Sequence, residues 1–259
     1  MSHWYTLDAK AMHTIVGANG KERPTTIADA RKHKLLPSAT TILDIVGSKS
    51  LEDYKLRQAL FYAKQCPMST ISESDLLKYV RESMDDDLER SASGGTELHN
   101  DLEEWSYGRP SKESATWQEL SAKLRIKEFI GNEITMADIN IGAGGTCDLL
   151  IRDMDGAIVI ADLKSKKEPG KYGFYSSDSH ILQLACYYLL AKKDKRFKAL
   201  FAGKKVYAAI LFVSRLDRKG GVRTNDVKIY SSAELEQAAI SFQHLVHFWQ
   251  AQNNYTPGL

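Results

Sequence analysis

Hydrophobic residues recur at helical spacing through much of the first half of the chain. Beyond Pro37 the apolar positions are three and four residues apart, which is the spacing of one face of an α-helix. Gly94 and Gly95 interrupt this pattern, and Thr96 is a suitable N-cap for a new helix behind them. The predicted helices cover residues 39–46, 50–65, about 72–84, 97–105 and 115–130.

The second half of the chain changes to short apolar runs that are typical of β-strands. Residues 157–164 are apolar on both faces over their first half, as expected for a central strand of a covered sheet. Helices come first, followed by strands with two further helices among them, which predicts an α/β core with a mixed β-sheet flanked by helices. We assign this core to 94–259 and a helical N-terminal elaboration to 1–93. The predicted strands cover 133–141, 146–152, 157–164, 206–214 and 222–230, with a turn at 142–145 and helices at 177–192 and 234–250.

Composition sets broad limits on the class of protein. With 259 residues, of which 43% are hydrophobic and 26% charged, the chain is expected to fold around a sizeable core. The net charge of +2 neither requires nor excludes a polyanionic partner. Three widely spaced cysteines form no CxxC pair, so we expect no iron–sulfur cluster and no disulfide framework. No secretory signal or membrane-spanning run is visible, which favours a cytoplasmic protein, or one of the host cytoplasm if a phage encodes it.

Three side chains carry the candidate chemistry. Asp162 and Lys164 are two residues apart at the end of an apolar strand, so they project from the same face. A hairpin centred on Asp155 places Asp148 opposite Asp162, with the two Cβ atoms about 5 Å apart. Two carboxylates so close repel each other unless a cation lies between them, and hard oxygen ligands suit Mg²⁺, with Mn²⁺ as a substitute.

This set matches the needs of phosphodiester hydrolysis. A divalent ion held by carboxylates can activate water and neutralise charge on the phosphate. Lys164 can orient the water, assist its deprotonation or stabilise the developing negative charge. The alternative is that Asp162 and Lys164 form an ion pair of purely structural importance, because the tripeptide Asp-Leu-Lys is common.

The surrounding sequence resembles a known family. The stretch GGTCDLLIRDMDGAIVIADLKSKK is similar to the core of PD-(D/E)XK nucleases, in particular to the RecB-like exonuclease branch. This resemblance implies a restriction-endonuclease-like fold with catalytic residues Asp148, Asp162 and Lys164. It also implies that both aspartates and the backbone carbonyl of Leu163 bind the metal ion.

Two further motifs of that branch occur in the expected order. Residues 95–99 match its G-x-x-x-H helix, which makes His99 a metal ligand by resemblance. Gln183 and Tyr187 match its Q-x-x-x-Y helix, which implies that they face the active site and DNA. The segment LPSATTIL near the N-terminus resembles phage and mitochondrial members that act on single-stranded ends.

Several other residues are predicted to support the site. Glu103 lies one helical turn after His99 and could orient a ligand. Glu133 begins the strand before Asp148, where the family often has an acid. Lys166 and Lys167 follow the catalytic lysine and could bind phosphates, although an exposed basic loop explains them equally well.

The sequence therefore supports two classes of function. The first is a metal-dependent deoxyribonuclease, most simply an exonuclease acting from a free DNA end, with single strands as the substrate that the N-terminal resemblance implies. A structure-specific endonuclease or nickase of the same fold is the alternative within this class. The second class is a non-catalytic DNA-binding module, against which the presence of Asp148, Asp162 and Lys164 together argues. No membrane partner is expected.

Overall fold

The computed structural model describes residues 2–47, 49–67, 71–166, 169, 174, 176–215 and 223–258, and of residues 49–51 the backbone alone. The chain divides into two compact units. The first combines Met1–Ile45 with Asp101–Leu259, and the second is Val46–Asn100. The boundary predicted at residue 94 falls within a continuous helix.

The N-terminal segment of the first unit contains short elements that the sequence pattern did not predict. Its two small antiparallel pairs are β1 with β4 and β2 with β3. The predicted helix at 39–46 is confirmed as a short α-helix that continues into a single 3₁₀ turn, and the Ser38 hydroxyl caps it by accepting from the Thr41 N–H. The elements are β1 (Trp4–Tyr5), β2 (Thr14–Val16), β3 (Glu22–Pro24), α1 (Ile27–His33), β4 (Leu36–Pro37) and α2 (Ala39–Leu43).

The second unit consists of α3 (Lys49–Gln65) and most of α4 (Glu73–Ser106). The prediction that Gly94 and Gly95 separate two helices is wrong, because α4 continues through both. Thr96 is not an N-cap: its hydroxyl donates to the Ala92 carbonyl oxygen one turn earlier, as threonine does inside helices. Glycine costs about 1 kcal/mol in a helix interior, which a long helix tolerates.

The rest of the first unit forms the main sheet. Its strand order is β5-β6-β7-β8-β9, and all neighbours are antiparallel except the parallel pair β7 and β8. Helix α6 connects these two strands, as a parallel pair requires. The elements are α5 (Ser114–Leu124), β5 (Ile126–Asp138), β6 (Ala143–Asp153), β7 (Ile158–Lys166), α6 (Asp178–Lys193), β8 (Val206–Ser214), β9 (Asn225–Tyr230) and α7 (Ser232–Asn253).

Two predicted boundaries around β5 are wrong. The helix predicted over 115–130 ends at Leu124, because Arg125 takes a left-handed conformation with φ 54°. The following residues enter β5, where tertiary pairing with β6 overrides the helical spacing. The predicted turn at 142–145 is also too long, since β6 begins at Ala143.

The central strands β6, β7 and β8 are buried on both faces over most of their length. On β7, Ile158 and Ile160 join the core that contains residues of α6 and α7, whereas Val159 is buried outside that cluster. Asp162 and Lys164 continue the series of Ile158 and Ile160, because alternate residues share a face. The predicted α/β class, with a central mixed sheet flanked by helices, is confirmed. None of the described helices is long and apolar enough to cross a membrane.

Asp101 joins the end of α4 to α5. Its carboxylate accepts hydrogen bonds from the Ser111 hydroxyl at 2.6 Å, the N–H groups of Lys112 and Glu113 at 2.8 and 3.1 Å, and the Trp117 indole at 2.7 Å. Burial alone would raise the pKa of Asp101, but these donors outweigh it and hold the pKa below its usual value. The ionised carboxylate is therefore stabilised by folding.

We expect Asp101→Asn to lower the free energy of unfolding by about 1–3 kcal/mol at neutral pH, because it weakens several buried hydrogen bonds. A carboxyl with a depressed pKa contributes its stability above the unfolded-state pKa of about 3.9 and loses it as pH falls. The difference between wild type and variant should therefore shrink between about pH 5 and pH 3. Urea unfolding across this range measures it, and a difference independent of pH would contradict the assignment.

Candidate active site

The β6–β7 hairpin brings Asp148 beside Asp162. The strands pair Leu149 with Ala161 and Leu150 with Ile160, so the next position across from Asp148 is Asp162. This is the pairing predicted for a turn centred on Asp155. One oxygen of Asp148, Oδ2, accepts a hydrogen bond from the Leu163 N–H at 2.7 Å. The side chain of Asp148 therefore reaches towards β7 just beyond the last backbone pair.

Asp162 and Lys164 form a largely buried ion pair. Lys164 Nζ lies 2.7 Å from Asp162 Oδ2, and the two side chains are 27% and 2% exposed. Within the described residues this oxygen has no hydrogen bond of good geometry. Burial alone would lower the pKa of Lys164, but the carboxylates of Asp162 and Asp148 outweigh it and raise the pKa. Lys164 is thus an ammonium ion at neutral pH.

Glu133 adds a third acid to the same row. The pairs Asn132–Leu149 and Ile134–Cys147 place Glu133 across from Asp148, on the side opposite to Asp162. A carboxylate oxygen of Glu133 and one of Asp148 lie within 4.8 Å of each other. Glu133 has φ 44°, a left-handed conformation that is unusual for glutamate inside a strand and is found most often at functional sites.

The donor atoms of this region fit a divalent cation. Glu133 and Asp148 of the first unit are two carboxylates whose oxygen atoms could bind a metal ion together, whereas His99 lies on α4 in the second unit and its role as a ligand stays a prediction. Oxygen and imidazole ligands suit Mg²⁺, Mn²⁺ and similar ions. Asp162 Oδ2 is ion-paired with Lys164, and the role predicted for Asp162 as a metal ligand stays a prediction. The first unit therefore contains a candidate metal site of acidic side chains.

The predicted motif on α6 is buried against β6. Gln183 is 9% and Tyr187 5% exposed, and Gln183 Nε2 donates to the Tyr187 hydroxyl at 2.7 Å. A Cβ atom at Gly145 would lie 2.7 Å from Cε1 of Tyr187, so the tyrosine ring needs glycine at this position of β6. Burial raises the pKa of Tyr187 well above its usual value, and Asp162 and Asp148 add to the shift. Both side chains thus lie near the acids, and their contact with DNA stays a prediction.

Tyr5 is a neighbour of the acids that sequence reasoning missed. Its hydroxyl forms a hydrogen bond with Thr146 Oγ1 at 2.9 Å, and its ring lies on Gly144, where a Cβ atom would be 2.7 Å away. Burial raises its pKa, and the charges of Glu133 and Asp148 contribute. The sequence pattern assigns Gly144 and Gly145 to a turn, but both lie on β6. Their missing side chains allow the rings of Tyr5 and Tyr187 to pack closely on this strand.

The other predicted residues occupy separate positions. Glu103 lies on α4 one turn after His99, and its carbonyl oxygen accepts from the Ser106 hydroxyl. Lys166 is the last residue of β7 and is partly buried. Lys167 lies outside the described residues. The roles predicted for these residues stay predictions.

Comparison with known proteins identifies the family. The family model of the PD-(D/E)XK nuclease superfamily matches residues 56–257. A search of curated proteins found no significant match. Two solved structures are similar at 14% identity and a TM-score of 0.30: SSO0001, with 76% of this chain and 86% of that chain covered, and LHK-Exo in complex with dAMP, with 84% and 89% covered.

The family match spans most of the chain, including the whole five-stranded sheet and both helices that pack on it. The observed α/β architecture agrees with the restriction-endonuclease-like fold that this family implies. Membership implies a metal-dependent nuclease with DNA as the substrate. The protein belongs to the PD-(D/E)XK nuclease superfamily.

Proposed function

We propose that this protein is a Mg²⁺-dependent exonuclease that hydrolyses phosphodiester bonds from a free DNA end. The observation that carries the proposal is the row of Glu133, Asp148 and Asp162 across three adjacent strands, with the ammonium of Lys164 beside it. Three acids held together need a cation, and a cation next to an ammonium is an arrangement suited to a phosphate diester. Mn²⁺ is expected to substitute for Mg²⁺.

Asp148 and Asp162 are the proposed side-chain ligands from the hairpin. The Leu163 N–H faces Asp148, and in an extended strand the carbonyl of the same residue faces the same side, which supports its assignment as a backbone ligand. A divalent ion held there supplies polarisation of the scissile phosphate and a lowered pKa for water. Glu133 is the proposed additional carboxylate.

His99 is the proposed nitrogen ligand. Its helix α4 continues to Ser106, whose hydroxyl accepts a hydrogen bond from the Asn132 side chain at 2.5 Å, next to Glu133 on β5. Residues four and seven positions apart on a helix share a face, so His99, Glu103 and Ser106 are aligned. We assign Glu103 the role of orienting the imidazole or binding through water.

Lys164 is proposed to act as a fixed positive charge. Its raised pKa keeps it protonated, so it can hold a water molecule by donation and stabilise the negative charge that develops on phosphorus. Gln183 and Tyr187 are proposed to brace β6 behind Asp148 and to approach the substrate from α6. The RecB-like exonuclease branch, its preference for single strands, and a cytoplasmic location are parts of the same proposal.

A comparison of linear with covalently closed circular DNA tests this function directly. We expect the purified protein with Mg²⁺ to release label from linear DNA and to leave covalently closed circular DNA intact, because an exonuclease needs an end. The measurement is gel electrophoresis of end-labelled single-stranded, duplex and circular molecules, with EDTA as the metal-free control. Cutting of closed circles would replace the proposal by an endonuclease or nickase. No cleavage of any substrate by folded protein in Mg²⁺ or Mn²⁺ would refute hydrolysis altogether.

A further inference from the structure

Two basic residues lie together where β7 and β8 end. These strands are parallel, and Lys166 of β7 pairs with Ser214, the last residue of β8. The next residue is Arg215, whose N–H donates to the Lys166 carbonyl oxygen at 2.6 Å. The backbones of Lys166 and Arg215 therefore lie next to each other at the carboxyl edge of this strand pair, and their side-chain charges are close enough to repel each other.

The backbone that carries Arg215 is anchored. Arg223 Nη1 donates to the carbonyl oxygens of Ser214 at 3.2 Å and of Arg215 at 2.6 Å. Arg223 is held in turn by Glu113, with Nε and Oε1 2.8 Å apart. These hydrogen bonds therefore hold the backbone of Arg215 in a fixed position.

The two cations are not neutralised within the part of the chain that the structure describes. The ion pairs found there include neither Lys166 nor Arg215, and the buried Nε of Arg215 has no hydrogen-bond partner. Burial lowers the pKa of Lys166, and repulsion from Lys164 and Arg215 lowers it further. Two neighbouring positive charges, together with the buried N–H donor of Arg215, form a site that suits an anion.

The position of Lys166 relative to Lys164 suggests which anion binds. The two lysines are alternate residues of one strand, so they share a face at a separation of about 6.6 Å. Consecutive phosphates along a DNA strand are separated by a similar distance. When one phosphate lies at Lys164, the next can reach Lys166 and Arg215.

We propose that Lys166 and Arg215 form a subsite for the phosphate adjacent to the scissile one. The proposal rests on the proposed nuclease function, because it takes Lys164 as the position of the scissile phosphate. Lys166 supplies a flexible ammonium and Arg215 a planar guanidinium that can bind two phosphate oxygens. The subsite fixes the register of the DNA strand and does not depend on the identity of its bases.

A binding experiment tests the subsite independently of cleavage. In an Asp162→Asn background, a fluorescein-labelled DNA oligonucleotide is titrated at several KCl concentrations in the presence of Ca²⁺. Lys166→Gln and Arg215→Gln should each weaken binding about tenfold at low salt and reduce the slope of log affinity against log salt by about 1. Lys166→Arg should retain both values, which shows that loss of charge and not of folding is measured.

Lys205→Gln is the matched control. Lys205 is exposed and precedes β8, so its replacement by glutamine removes one positive charge at the opposite end of the strand. Its affinity and salt slope should equal those of the background protein. Unchanged slopes for both subsite variants, or an equal loss for the control, would overturn the proposal.

The position of the contacted phosphate is measured with the active enzyme. Replacing the phosphate next to the scissile one by a neutral methylphosphonate should raise KM about tenfold for wild type. It should have little further effect on the Lys166→Gln/Arg215→Gln double variant. An equal loss in both proteins would refute the adjacent position. If the salt slopes change as expected but no DNA is cleaved, the anion subsite stands and the nuclease function fails.

Discussion

Asp162→Asn should lower the rate of DNA cleavage at least about a hundredfold. Asp162 is 2% exposed and lies across from Asp148 at the point where the β6–β7 pairing ends. The amide that replaces it is a weaker metal ligand and leaves Lys164 without its closest negative charge. DNA affinity should change little, because the phosphate contacts come from cations.

The measurement is single-turnover cleavage of end-labelled linear DNA in Mg²⁺, together with calorimetric titration of Mn²⁺. Asp155→Asn is the matched control, since Asp155 lies at the other end of the same hairpin in an exposed ion pair with Arg125. It should cleave at the wild-type rate. Lys164→Ala should lose cleavage like Asp162→Asn. Ordinary turnover by either site variant, with an unchanged melting temperature, would show that these side chains form an ion pair of structural importance alone.

Tyr187→Ala should lower the free energy of unfolding by about 3–5 kcal/mol. The ring is 5% exposed and fills the space above Gly145, and its removal leaves a cavity between α6 and β6. Tyr187→Phe keeps the ring and removes the hydroxyl that accepts from Gln183, so it should cost about 1 kcal/mol.

Urea unfolding of the two variants separates packing from substrate contact. A large loss for alanine and a small one for phenylalanine would show that Tyr187 braces β6 behind the acids. A stable Tyr187→Ala protein with weakened DNA binding would instead place the ring in contact with the substrate, as the sequence motif predicts.

The sequence predicted the β6–β7 hairpin and the position of Asp148 across from Asp162 because the information that determines them is local. Alternation along β7 and a short turn fix the relation of Asp148 to Asp162 without reference to the rest of the fold. A mixed sheet was also predicted from the order of strands and helices, but not which of its strands are parallel. Glu133 could be named only as a supporting residue, since its left-handed backbone and its place opposite Asp148 depend on the pairing of β5.

The errors arose where tertiary contacts override local preference. Gly94 and Gly95 normally end a helix, but α4 passes through them. The residues after Leu124 have helical spacing, yet they pair with β6. Tyr5 could not be found from the sequence because 141 residues separate it from its partner Thr146. Arg215 escaped notice for a similar reason, since only the parallel pairing of two strands brings it beside Lys166.

The turn between β6 and β7 determines which residues of the two strands face each other. Its exposed residues Met154 and Asp155 lie at the end of the hairpin away from Asp148, but their number sets which face of β7 meets Asp148. One inserted or deleted residue would change the parity of the hairpin and direct residue 162 to the opposite side of the sheet. The length of this surface turn is therefore more tightly constrained than its amino-acid composition. A relative with both aspartates, but with a turn one residue longer or shorter, would keep the sequence motif and lose the position of the two acids on one face.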